Sequence, residues 1–175
     1  MEIKEKKILE LLDSAVKEEG IKQHMIGAIQ RVEQALESDP KAIMSWESIP
    51  LDLYKLQLPG EIKSSWVFIL RRNTITGAER HPNSIQRMMS YKGYGDFQTK
   101  RDNEWESNFL ERSFEGDIEK RWISIPINVW HQAVVGNENW IVISFHTAEV
   151  HELIEERPED GNEKKLRQKK YENKP

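Results

Sequence analysis

The stretch that decides the fold is residues 122–146, WISIPINVWHQAVVGNENWIVISFH. It begins with a short apolar β-pattern, and it ends with a second apolar run at residues 140–145. Between them, Pro126 and Asn128 interrupt the pattern, and His131 lies in the connecting segment. Two strands joined by a loop with a histidine at its mouth can direct an imidazole into a cavity. We therefore interpret the stretch as half of a site in a small β-barrel.

Short β-patterns also precede this stretch, and no helical pattern lies between them. They cover residues 65–72, 85–91, 97–99 and 109–114. A looser alternation at residues 42–59, punctuated by prolines, predicts an edge strand, where proline is tolerated. Short strands separated by glycine and asparagine turns indicate an antiparallel sandwich or barrel.

Helical periodicity is confined to the first forty residues. Apolar residues recur every three or four positions in residues 2–19 and again in residues 21–37, with Gly20 expected to end the first helix. We predict a helical hairpin, residues 1–40, packed on a barrel of residues 41–154; a dimer contact is the alternative role for these helices. The fold class is therefore mainly β with an N-terminal α-helical hairpin.

The C-terminal residues 155–175 are dense in charges of both signs and poor in apolar side chains. This composition predicts a short helical start followed by a solvated, disordered tail. A functional basic tail is the alternative, but the mixed signs favour simple solvation.

Bulk properties exclude several classes of function. The chain has 175 residues, a net charge of −4 and no cysteine. The acidic balance argues against a nucleic-acid partner, which needs a basic footprint. Without cysteine there is no disulfide, thiolate nucleophile or cysteine-based zinc or iron–sulfur site. No apolar run approaches the roughly 20 residues of a membrane span, and the first residues do not form a signal peptide. We expect a cytoplasmic protein without a membrane partner.

Two segments contain groups suited to metal binding or proton transfer. In the first, Glu79, His81 and Asn83 share one face if the chain is extended, and Gln86 follows closely. A surface turn is the alternative, because proline and asparagine at positions 82 and 83 are good turn residues. In the second segment, His131 is either a functional imidazole or a buried core histidine.

Three further residues depend on which way a strand faces. His146 shares a face with Trp140, so it is a third imidazole near the site only if that face lines the barrel. Arg87 could clamp a carboxylate or phosphate, although surface charge is the simpler interpretation. Trp130 precedes His131 and is a candidate for the wall that excludes water from a ligand.

Taken together, the two segments resemble the cupin superfamily, the RmlC-like double-stranded β-helix barrels. The first cupin motif reads glycine, His-x-His, glutamate, glycine. Here Gly77 is followed by His81, by Asn83 at the second histidine position, by Gln86 one residue before the glutamate position, and by Gly93.

The second cupin motif reads glycine, Pro-x-Gly, histidine, asparagine, and it matches better. Pro126 and Asn128 precede His131 at the expected spacing, and asparagine tolerates the left-handed turn conformation of the family glycine. Lys120 stands at the first glycine position and Val135 at the asparagine position. The resemblance covers about residues 65–147.

The resemblance implies a metal site of three histidines and one glutamate around iron, manganese, nickel or zinc. Here the aligned amides are weaker ligands than imidazole, and Glu79 could replace the missing carboxylate. Two histidines and one carboxylate would form the facial arrangement of non-haem iron oxygenases. The expected metal ligands are His81, His131, Glu79 and Gln86. The expected ligand-binding residues are Asn83, Trp130, His146 and Arg87.

The function that the resemblance implies is a metal-dependent oxygenase, with Fe(II) as the expected ion and a small polar metabolite as substrate. The alternative is a non-catalytic cupin that binds or senses a small polar ligand through a degenerate metal site, and a scaffold protein is a third class. Helices before the barrel also resemble the thiol dioxygenase branch, although that branch uses three histidines. Since cupins often pair through barrel edges, the resemblance allows a homodimer.

Overall fold

A computed structural model describes residues 2–55, 58–111 and 117–170 of the chain. Two helices, α1 (Ile3–Lys17) and α2 (Glu19–Ser38), come first. Within the described residues eleven strands follow: β1 (Met44–Ile49), β2 (Ser64–Leu70), β3 (Gln86–Lys92), β4 (Tyr94–Arg101), β5 (Glu104–Glu106), β6 (Phe109–Glu111), β7 (Trp122–Ile125), β8 (His131–Val135), β9 (Trp140–His146), β10 (Ile154–Glu159) and β11 (Asn162–Lys170).

The strands form two facing antiparallel sheets and one separate hairpin. The first sheet has the order β1-β2-β9-β3-β7, and the second contains β5, β4 and β6, with β8 also paired to β4. Strands β10 and β11 pair with each other. The mainly-β class is confirmed, and so is the edge strand expected within residues 42–59, which is β1. Part of the strand expected at residues 109–114 lies outside the described residues.

Strands β2 and β9 are mostly apolar because both of their faces are buried. One face packs against the second sheet, and the other packs against the two helices. The face of β9 that points to the second sheet carries Trp140 and Val142, whereas Ile141 and Ile143 point to the helices. His146 shares the first face by strand alternation. It therefore points into the space between the sheets.

The first helix ends two residues earlier than predicted. Helix α1 ends at Lys17, and Glu18 has extended backbone angles, φ −63° and ψ 137°. Gly20 lies inside the first turn of α2. The reversal needs no glycine, because the extended conformation of Glu18 is open to any residue. None of the described helices is long and apolar enough to cross a membrane.

A buried ion pair fixes α1 to the first sheet. The Asp13 carboxylate accepts hydrogen bonds from Nε and Nη2 of Arg121 at 2.8 and 2.6 Å and from Nε1 of Trp122 at 2.9 Å. Lys17 adds a contact at 2.8 Å. Burial alone would raise the pKa of Asp13, but the hydrogen bonds from Arg121, Lys17 and Trp122 outweigh it and lower that pKa below its usual value.

We expect Asp13→Asn to destabilise the fold by about 2–4 kcal/mol at pH 7, because Arg121 then stays buried without its carboxylate. Since the folded pKa of Asp13 is depressed, its stabilisation is present above the ordinary value of 3.8 and is lost as the pH falls through the folded pKa. Urea unfolding of both proteins at pH 7, 5 and 3 should show a constant difference at the first two values and a smaller one at the third. An equal difference at pH 3 would contradict the ionised pair.

The prediction of a disordered tail at residues 155–175 differs from the structure, which forms the β10–β11 hairpin there; residues 171–175 lie outside the described part. Leu153 is fully buried ahead of the hairpin, and the Glu155 and Glu156 side chains are buried in β10. On β11, Glu163 pairs with Lys100 of the second sheet. Several charged side chains of the hairpin pair with residues elsewhere in the fold. High charge density was therefore a misleading sign of a disordered segment.

Candidate metal centre

The segment at residues 79–83 lies between β8 and β10, and both neighbours hydrogen-bond to its backbone. The Glu79 and His131 main chains exchange hydrogen bonds of 2.9 and 2.8 Å, and those of Arg80 and Glu156 exchange bonds of 3.0 and 2.9 Å. The extended backbone places Glu79 and His81 on one face, as the alternation predicted. Arg80 instead pairs with Glu156 at 2.7 Å.

His131 was expected in a loop between two strands. The structure corrects this, because His131 is the first residue of a further strand, β8. The turn before it depends on Asn128, whose φ of 63° is the left-handed conformation expected at this position. The Asn128 N–H donates to the carbonyl of His81 at 3.0 Å. The turn therefore fixes the two histidine-bearing segments against each other, and the ring of His131 stacks on Phe97 at 5.4 Å.

Glu79, His81 and His131 come together as a three-residue cluster whose potential ligand atoms all lie within 4.8 Å of one another. Nδ1 of His81 lies 2.8 Å from the carbonyl of Ile154, and Nδ1 of His131 lies 3.0 Å from the carbonyl of Val129. A carbonyl accepts, so Nδ1 carries a proton in each ring and Nε2 is the nitrogen that can offer a lone pair. Metal-ligating histidines have this arrangement of the second ring nitrogen.

Nε2 of His131 is buried and makes no hydrogen bond within the described residues. It lies 3.4 Å from Oε1 of Glu79. A buried nitrogen without a partner costs about 1–3 kcal/mol. A cation between this nitrogen and the carboxylate would remove that cost, so the pair has the form expected of two ligands.

The protonation states also suit a divalent ion. Burial alone would raise the pKa of Glu79, but contact with His131 and the charge of Arg157 lower it to about 2, so the group is a carboxylate. Burial, together with neighbouring His131, lowers the pKa of His81, which keeps that ring neutral. One carboxylate and two neutral imidazoles are the forms in which these side chains bind a metal. The residues therefore fit the group that the resemblance implied.

A cavity of about 30 Å³ adjoins the cluster between the two sheets. Its polar lining residues are Glu79, His81, Gln86, His146 and Thr76; its apolar ones include Met44, Phe68, Leu70, Met88 and Phe97. Oε1 of Gln86 is buried and has no hydrogen-bond partner within the described residues. The expected fourth donor thus faces the same small space as the cluster.

His146 also lines this cavity, but its two ring nitrogens already contact serine hydroxyls. Nε2 lies 2.9 Å from Oγ of Ser144, and Nδ1 lies 3.4 Å from Oγ of Ser84. Burial, with the nearby His81 and His131 rings, lowers the pKa of His146 well below its ordinary value. The His146 ring centroid lies 5.1 Å from that of His81, but His146 is not among the three residues whose ligand atoms cluster. It is therefore a neutral neighbour of the cluster, with both ring nitrogens directed at serine hydroxyls.

Arg87 does not line the site, which corrects its interpretation as a ligand clamp. It follows Gln86 on β3 and so faces the helices, where it pairs with Glu5 and Glu61 at 2.6 Å each. Neighbouring residues of a strand point to opposite faces. Because the Gln86 side chain points to the cavity, the Arg87 side chain points away from it.

Asn83 and Trp130 also lie outside the cavity lining. The Asn83 amide is exposed; it donates to the carbonyl of Glu152 at 2.8 Å and accepts from the Ile154 N–H at 3.1 Å. It therefore holds the start of the hairpin. The Trp130 ring is buried, and its centroid lies 4.7 Å from Cζ of the Arg80 guanidinium.

One residue at the site, Arg157, was missed because it belongs to the segment expected to be disordered. It lies on β10, and Nη2 donates to Oε2 of Glu79. A possible signal for the strand was that Glu155 and Arg157, two residues apart, would share one face of it. This spacing alone does not identify Glu79, 78 residues away in sequence, as the partner of Arg157.

No protein-family model and no curated protein matches this chain. Solved structures match its fold. A mutant salicylate 1,2-dioxygenase from Pseudoaminobacter salicylatoxidans in complex with gentisate aligns with a TM-score of 0.51 and 11% identity over 69% of this chain and 31% of that chain. A Lactobacillus farciminis oxalate decarboxylase aligns with a TM-score of 0.48 and 12% identity over 63% of this chain and 30% of that one.

The chain therefore spans less than a third of the length of these two structures. At such identity the likeness shows the fold alone, and that fold is the cupin fold that the two sequence segments predicted. A narrower place near the thiol dioxygenase branch stays a prediction.

Proposed function

We propose that this cupin-fold chain binds one divalent metal ion, Fe(II) in its working form, through Glu79, His81 and His131, and acts as an oxygenase on a small polar metabolite. The observation that carries the proposal is the buried, unpartnered Nε2 of His131 beside a carboxylate oxygen. Gln86 is the proposed fourth donor, since its buried Oε1 also lacks a partner within the described residues.

Two histidines and one carboxylate occupy one side of a metal and leave the other side open. When bound, iron(II) would supply dioxygen activation at those open positions. The protein's own residues orient the donors: backbone carbonyls fix the rings of His81 and His131, as described above. The apolar walls, among them Phe97 and Met88, exclude bulk water from the donors.

The cavity limits what can bind next to the ion. A volume of about 30 Å³ admits an ion with one or two waters but no ordinary organic molecule. A substrate must therefore be very small or must displace part of the wall. Met44 of the edge strand β1 pairs with Leu70 of the neighbouring strand β2, and Met44 is unbranched and flexible. We propose that substrate enters past these two side chains.

Nitric oxide binding tests the open coordination positions without knowledge of the substrate. The metal-stripped protein is loaded with Fe(II) without oxygen and exposed to nitric oxide, with the Zn(II)-loaded protein as control. We expect a new visible absorption and a half-integer-spin resonance only in the iron protein. Stoichiometric iron that binds no nitric oxide would indicate a saturated, structural site and would exclude the oxygenase.

One observation favours the non-catalytic alternative. Arg157 already pairs with the Glu79 carboxylate, so part of the negative charge of the site is compensated without any metal. If this alternative holds, the purified chain takes up no iron, and small polar compounds raise its melting temperature equally with and without a chelator.

A further inference from the structure

Arg157 of β10 links the β10–β11 hairpin to Glu79 of the proposed metal centre, and two further contacts help to hold its guanidinium. Nη2 donates to Oε2 of Glu79, Nη1 donates to the carbonyl of Thr76 at 2.8 Å, and Nε donates to Oε1 of Glu155 at 2.6 Å. The guanidinium is thus held from three sides. It is a fixed group and not a mobile surface charge.

The two oxygens of Glu79 have different neighbours. Oε2 is bound by Arg157, whereas Oε1 lies 3.4 Å from Nε2 of His131. The arginine therefore determines how the carboxylate rotates: Oε1 is turned toward the histidines. Removing the guanidinium would free the carboxylate to rotate and to present either oxygen.

The Glu155 carboxylate offsets part of the positive charge of Arg157, so the guanidinium does not fully cancel the negative charge of Glu79. The Glu155 side chain is 1% exposed, and its Oε1 contacts both Nε of Arg157 at 2.6 Å and Nζ of Lys169 at 3.4 Å. Two cations and two carboxylates thus form a row from β11 to the cluster. Because Glu155 balances part of the guanidinium charge, Glu79 retains attraction for a metal.

We propose that Arg157 is a positioning residue of the metal centre: it holds Oε2 of Glu79 so that Oε1 is the ligand atom, and it thereby makes metal affinity depend on the docked hairpin. This inference rests on the proposed function. The backbone adds a second link of the same kind, since the Ile154 carbonyl at the start of β10 accepts from Nδ1 of His81. The hairpin therefore supports two of the three ligands.

The chain offers a matched control in a second arginine–glutamate pair. Arg80 and Glu156 also join residues 79–83 to β10, with Nε and Oε2 2.7 Å apart. Arg80 lies over the Trp130 ring and not against Glu79. Arg80→Gln removes a hairpin ion pair of similar burial but leaves the carboxylate of Glu79 bound by Arg157.

The experiment is a Co(II) titration of the metal-stripped wild-type chain and of three variants, Arg157→Gln, Arg157→Lys and Arg80→Gln, followed by visible absorption. We expect Arg157→Gln to raise the Kd for Co(II) about 10–100-fold and to alter the absorption spectrum, since loss of an outer-shell partner has effects of this size. Arg157→Lys should recover part of the affinity, because an ammonium can still donate to Oε2. Arg80→Gln should stay within about threefold of wild type. Thermal unfolding without metal checks that each variant folds.

Three outcomes would overturn the inference while the proposed function stands: an unchanged Kd and spectrum in Arg157→Gln, an equal loss in Arg80→Gln, or tighter binding in Arg157→Gln. The last would mean that the guanidinium competes with the metal for Glu79. A wild-type chain that binds no Co(II) would overturn the proposed function and this inference together.

Discussion

Replacing His131 by glutamine is expected to weaken Fe(II) or Co(II) binding by about 100-fold or more. Outer-shell losses alone reach about 100-fold, and this change removes a proposed direct ligand. Glutamine roughly preserves the volume packed against Phe97, but its amide oxygen is a much weaker ligand for a transition metal than imidazole. Equilibrium titration of metal-stripped protein measures the change.

His146→Gln is the matched control, because His146 lines the same cavity but directs its two ring nitrogens at serine hydroxyls. A glutamine amide can donate to and accept from those hydroxyls. We expect its metal affinity to stay within about threefold of wild type, well short of the loss of an outer-shell partner. Equal losses in the two variants would show that His131 is not a ligand and that both act through general disruption of the cavity.

Gly95→Ala is expected to destabilise the fold by about 3 kcal/mol, the upper part of the range for overpacked cores. A Cβ at Gly95 would lie 2.3 and 2.4 Å from Cε3 and Cζ3 of Trp140 and 2.9 Å from the carbonyl oxygen of Val134. The Trp140 ring cannot move aside, since it is fully buried and its Nε1 donates to Oγ of Ser90 at 2.9 Å. This contact sets how closely β4 approaches β9.

Gly60→Ala is the control, since a Cβ there meets nothing within 4 Å. Its effect should stay within about 0.5 kcal/mol. Urea unfolding of both variants measures the difference, and a shift in melting temperature of roughly 6–12 °C should accompany the loss in Gly95→Ala. Equal stability of the two variants would contradict the packing of the second sheet on Trp140.

Short-range patterns were sufficient to predict an antiparallel β-fold and the shared face of Glu79 and His81, and the resemblance to the cupin motifs implied the cupin fold and linked His131 to these residues. The run at residues 140–145 marks a strand that is buried on both faces. Glu79 and His81 share a face through the alternation of an extended chain, and the positive φ of Asn128 fits a turn that orients His131.

The remaining features depend on contacts between distant residues. Arg87 looked suitable for a ligand, but its partner Glu5 lies on α1, 82 positions away. Likewise, the hairpin segment by itself showed only a high density of charges, and so it was predicted to be a solvated tail. Three of those charges pair with Arg80, Lys100 and Glu79, which are distant in sequence. Local composition shows how many charges a segment carries, but it does not show which distant residues will form ion pairs with them.

The central claim is that Glu79, His81 and His131 hold a metal ion, and metal stoichiometry tests it most directly. Metal-stripped wild-type chain is incubated with Fe(II) without oxygen, freed of unbound ion, and analysed for iron per chain beside Glu79→Gln. We predict close to one iron per wild-type chain and a large loss in the variant. Wild-type protein that retains no iron, or a variant that retains as much as wild type, would contradict the account.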